Sequence, residues 1–88
     1  MQDPITPRQL DWEATQNKAK SMTIEMLEYA IRDCRQAGLN ALAIEQSGFR
    51  VDKSQGYYSD ESSVYHNELN NRLIDLYYEA NPPMGSAV

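Results

Sequence analysis

One cysteine and one histidine are all this chain holds of the two side chains that most often ligate metals or attack substrates. With Cys34 alone, no disulfide can close within the chain, which fits a reducing compartment. His66 has Ser62, Ser63, Leu69 and Asn70 at helical neighbour spacing, none a strong partner ligand. Asp60 and Glu61 add carboxylates but no zinc or calcium spacing. Cys34 falls on an apolar stripe, where a thiol behaves as a small buried hydrophobe. Ser59, Ser62 and Ser63 read as cap and first-turn residues rather than activated nucleophiles. Gly48 and Gly56 stand apart, with no Gly-Lys-Ser/Thr after them to cradle phosphate. The expectation is no catalytic residue, no metal and no cofactor.

Positive charge is also scarce. Eight basic residues face 13 acidic ones, for a net charge of −5. Arg8, Lys18, Lys20, Arg32, Arg35, Arg50, Lys53 and Arg72 are scattered rather than clustered. A phosphate-backbone binder needs the opposite balance. Gly38 could form the turn of a helix-turn-helix, yet Leu39 to Gln46 carries no basic residue. A small DNA-binding transcriptional regulator therefore stays as the alternative reading. The longest uncharged apolar run, Ala37 to Ile44, falls short of the roughly 20 residues of a membrane span. Asp3 and Pro4 stand where a basic, then apolar, leader would begin, so the expected location is the cytoplasm.

What is present is helical. Thr6, Pro7 and Gln9 form a capping box that predicts a first helix over 7–20, anchored by Trp12. A second helix is expected over 22–46, either continuous with the first or restarted at Ser21 or Thr23. Ile24, Leu27, Ile31 and Cys34 make one apolar stripe of it; Met22, Met26 and Tyr29 make another. Together they span about 200°, more than a single neighbouring helix covers. Gly38 is read as interior with a kink, because Ser47-Gly48 makes a better stop. Residues 48–58 show neither helical nor strand period and are expected to be a loop.

A third helix is expected over 59–80, with Asp60 and Glu61 in its first turn. Tyr65, Leu69, Leu73, Leu76, Tyr77 and Ala80 share its buried face, and Glu68 and Arg72 form an i,i+4 pair. Val64, Asn67, Asn71, Ile74 and Tyr78 make a half-apolar flank. Asn81-Pro82-Pro83 ends the helix, leaving 82–88 as a mobile tail. The whole is one all-α domain of three helices: an N-terminal helix plus a long helical hairpin, expected to self-associate. No strand-period segment or internal repeat is present.

Contact surface is the function this composition leaves. Tyrosine combines a rigid apolar body with a hydrogen-bonding tip and is enriched at interfaces. Tyr57 and Tyr58, with Asp60, Glu61, Ile74 and Tyr78, are the candidate partner-binding residues; the two loop tyrosines could instead lid the core. Met22, Met26 and Tyr29 are the candidate self-association residues, giving a homodimer or larger.

Met22-Thr23-Ile24-Glu25-Met26-Leu27-Glu28-Tyr29-Ala30, followed by the Gly56-Tyr57-Tyr58-Ser59-Asp60-Glu61 helix start with Tyr65 and Glu68-Leu69 after it, resembles small accessory proteins encoded by tailed phages. The resemblance covers residues 22–72. It implies a host-interaction role: an inhibitor that blocks a bacterial defence or host complex by steric binding, with a host or defence-system protein as its partner.

Overall fold

A computed structural model describes residues 8–81. Three α-helices follow in order, α1 (Trp12–Lys20), α2 (Ile24–Gln46) and α3 (Gln55–Ala80), with no strand among the described residues. α2 and α3 pack as a hairpin, and α1 lies against α3. The all-α architecture of an N-terminal helix plus a helical hairpin is thus the observed one.

α1 starts five residues later than the capping box predicts. Thr6 and Pro7 lie outside the described residues. Asp11 is the N-cap, its carboxylate accepting from the Ala14 amide at 3.0 Å. Residues 8–10 run across to the α2–α3 connection instead: the Arg8 amide donates to the Asp52 carbonyl at 2.6 Å, and the two side chains pair at 2.9 Å. That course puts Leu10 into the core. Trp12 is not the anchor expected of it, being 49% exposed, whereas Ala19 at 1% is.

α1 and α2 are separate helices. Thr23 restarts the chain, its hydroxyl accepting from the Met26 amide at 3.1 Å. α2 runs without interruption through Gly38, which is buried. A methyl on Gly38 would stand 3.5 Å from the Tyr58 Cβ and 3.6 Å from the Gln55 Cγ, so the glycine marks the close approach of the two long helices. α2 ends at Gln46, and Gly48 adopts φ +93°, a left-handed conformation that glycine reaches without strain.

The core gathers Leu10, Ala19, Met22, Leu27, Ile31, Cys34, Val64 and Tyr65, with Ala30, Tyr57, Tyr58 and Leu69 packed against it. Leu27 and Tyr65 are its largest fully buried side chains. The hairpin is staggered. Gly38 sits opposite the first turn of α3, while Ile24 sits beside Arg72, Asp75 and Leu76. Each helix therefore overhangs the other: α2 beyond Gly38, and α3 beyond Leu76.

Candidate functional site

α3 begins at Gln55, four residues before the expected start, because Ser54 is a working N-cap. The Tyr57 amide donates to the Ser54 hydroxyl at 3.4 Å. This corrects the loop assigned to 48–58: Tyr57 and Tyr58 belong to the first turn of a helix. Asp60 and Glu61 lie beyond that turn. Both tyrosines are half-buried against the core, ring edge to ring face at 5.6 Å, with the Lys53 ammonium 5.0 Å from the Tyr57 ring. Their packing is that of a lid, set by Gly38 on one side and the 8–12 segment on the other.

Glu61 is likewise engaged inside the protein. It accepts the Tyr65 hydroxyl at 2.6 Å, four residues on. Burial, aided by the neighbouring Glu61 carboxylate, pushes the Cys34 thiol up to about 12. Burial and the same carboxylate raise the Tyr65 phenol above its usual range. Both groups are held neutral, so Cys34 is no thiolate nucleophile at pH 7. Asp60 is exposed beside Trp12 and Tyr57. His66 is exposed too. Among the described residues no group of three or more His, Cys, Asp or Glu side chains could hold a metal ion, and no helix is long and apolar enough to cross a membrane.

The self-association trio does not form one surface. Met22 is buried in the core, because the turn between α1 and α2 folds it inward, while Met26 and Tyr29 are 51% and 69% exposed on the outside of α2. α1, packing on α3, leaves them uncovered.

The larger departure lies at the end of α3. Of the face expected to be buried, Tyr65 is buried and Leu69 half-buried, but Leu73, Leu76, Tyr77 and Ala80 are exposed. The reason is where the neighbours stop. α1 ends at Lys20, and the Arg72 guanidinium closes that end by donating to the Ala19 and Lys20 carbonyls at 3.2 and 3.0 Å while pairing with Glu68 at 2.8 Å. α2 has only its first residues at this level. On the flank, Val64 is buried, and Ile74 and Tyr78, 51% and 53% exposed, stand past the end of α1.

Leu73, Ile74, Leu76, Tyr77 and Tyr78 thus form a half-exposed apolar end. A shallow depression runs between Asn70, Leu73, Ile74, Tyr77 and Tyr78. Another, on the α2 side, places Leu76 and Tyr78 beside Arg72, Asp75 and Glu79. Tyr77 and Tyr78 meet edge to face at 5.5 Å. Of the six candidate partner-binding residues, Ile74 and Tyr78 come together here; Tyr57, Tyr58, Asp60 and Glu61 sit at the other end of α3. Leu73, Leu76 and Tyr77 join this surface although their period assigns them to the core.

No family model, curated protein or solved structure matches this chain.

Proposed function

We propose that this protein is a non-catalytic protein-binding module. The observation that supports the reading is the end of α3, where five large apolar side chains in two helical turns stand about half exposed, with Ile24 of α2 beside Leu76 and Tyr78. Spread over more than half the helix circumference, they present on the order of 500 Å² of surface in all, and exposed apolar surface of this order is often functional. Asp75 and Glu79 border it, and exposed carboxylates steer the approach of a basic partner.

The resemblance to tailed-phage accessory proteins supplies the class of partner: a host or defence-system complex, blocked by steric binding in the host cytoplasm. The DNA-binding alternative loses its turn, since Gly38 lies inside a continuous helix. Immobilised protein exposed to a bacterial lysate separates the two. A stoichiometric protein partner that survives nuclease treatment is the expected result; loss of every partner on nuclease treatment would overturn it.

A further inference from the structure

At the other end of α3, a cleft lies between its first turn and the segment that leads into α1. Buried Leu10 and half-buried Tyr57 line it from the core side, while Trp12 and Asp60, both exposed, line it from the solvent side. It holds about 360 Å³, the scale of a small ligand site. Gly56 keeps it open: a methyl there would meet only the Ser54 Oγ, at 3.6 Å. The one tryptophan of the chain thus faces an open space rather than the core.

Charge decides what such a space takes. Segments 8–13 and 52–61, which build it, carry two basic and five acidic residues, so the local field favours a cation. Both basic residues are already engaged. Arg8 pairs with Asp52 at 2.9 Å, and the Lys53 ammonium lies 5.0 Å from the Tyr57 ring. Among the described residues the Asp60 carboxylate has no ion-pair partner, and no cation lies over the Trp12 ring.

We infer that this cleft takes an arginine side chain of a partner protein, its guanidinium against the Trp12 indole and paired with the Asp60 carboxylate. The inference rests on the reading of this protein as a module for protein contact, and gives a basic partner a second point of attachment. Indole is the best aromatic acceptor of a cation. A planar guanidinium can lie on a ring face and still present its edge to a carboxylate, which an ammonium cannot. The methylenes of the same side chain would run along Leu10 and Tyr57, which lie deeper in the cleft.

Trp12 fluorescence reads the cleft directly, since no other indole contributes. Titration with N-acetylargininamide at constant ionic strength changes the emission saturably, with half-saturation on the order of 10 mM for one exposed stack and one exposed ion pair. The uncharged citrulline amide, of the same shape, gives no saturable change, and the lysine amide binds about threefold more weakly. Asp60→Asn weakens the arginine response about threefold. Gly56→Leu, which places a side chain in the open space, abolishes it. Glu25→Gln, which removes an equal charge from the start of α2, leaves it unchanged. Circular dichroism shows that all three variants stay folded. No saturable response to the arginine amide, an equal response to the citrulline amide, or a lysine amide that binds as tightly overturns the arginine site. A nuclease-resistant lysate partner captured by a protein that fails the titration leaves the contact reading standing without this cleft; failure of both overturns both.

Discussion

The Arg72 guanidinium on α3 donates to the carbonyl oxygen of Ala19, 53 positions earlier in the chain, at 3.2 Å. Its Nη2 also donates to the Lys20 carbonyl, and its Nε pairs with Glu68. The last carbonyls of a helix have no partner within it, and a cation there also meets the negative end of the helix dipole. Arg72 thus fastens α1 at its carbonyl end, adding to the Met22 amide that the Ala19 carbonyl already accepts at 3.1 Å. Arg72→Met is expected to cost about 1–3 kcal/mol, because Glu68 is left half-buried beside an apolar chain. Arg72→Lys recovers only part, lacking the planar fork. Urea unfolding gives the magnitude. Amide exchange that accelerates first in α1 identifies the place.

Alkali should unfold this protein through Cys34 and Tyr65. Both have folded pKa values above their ordinary ones of 9.0 and 10.0, so the folded state holds their protons longer than the unfolded chain does. The stability tied to those protons is complete below about pH 9 and is lost as pH rises, through about 12 for Cys34. Unfolding free energy followed from pH 7 to 11 should fall, and Cys34→Ala should flatten the fall. A profile that Cys34→Ala leaves unaltered would remove the thiol from the account.

Gly38 offers a gain. The methyl of an alanine would meet Tyr58 and Gln55 at ordinary contact distances of 3.5 and 3.6 Å. Replacing an interior helical glycine removes backbone freedom from the unfolded chain. Gly38→Ala is expected to stabilise by about 0.5–1 kcal/mol. Gly38→Leu should do the reverse, its longer side chain having to displace Tyr58. Thermal midpoints of the two variants should move in opposite directions.

For the tyrosine pair the packing predicts a stability effect. Tyr57→Ala with Tyr58→Ala should cost about 2 kcal/mol or more, on the scale of buried aromatic truncations. Tyr57→Phe and Tyr58→Phe should keep most of the stability, since the rings rather than the hydroxyls do the covering. Denaturation midpoints test this directly; an alanine pair as stable as the parent would return both rings to the surface.

The helices were legible because their apolar spacing and stop signals are local. Leu27, Ile31 and Cys34 recur at helical period, Thr23 and Ser47-Gly48 bracket α2, and the i,i+4 pair of Glu68 and Arg72 forms as read. Starts were harder. Thr6-Pro7 and Ser59-Asp60 look like better caps than Asp11 and Ser54, but tertiary pairing decides between rival caps: Arg8 is drawn to Asp52, and Tyr57 is drawn under the hairpin. The end of α3 was misread for a different reason. Period puts Tyr65, Leu69, Leu73 and Tyr77 on one i,i+4 row, which drifts about 40° per step, so that Tyr77 stands about 120° around the helix from Tyr65. It does not tell how far along that row the neighbours reach. That length depends on the stagger of the hairpin, which the approach of Gly38 to Tyr58 determines far from Tyr77 itself.

Helices α1 and α2 adjoin in sequence, yet α1 packs on α3, and this connectivity dictates an order of assembly. The hairpin can close through the short connection 47–54, burying Leu27 against Tyr65 early. α1 can dock only once α3 is in place, and with the hairpin formed it closes only the short link 21–23. Contacts at Leu27 are therefore expected to form by the transition state, and those at Ala19 and Arg72 after it. Leu27→Ala should slow refolding, whereas Arg72→Met should leave the refolding rate nearly as it was and hasten unfolding.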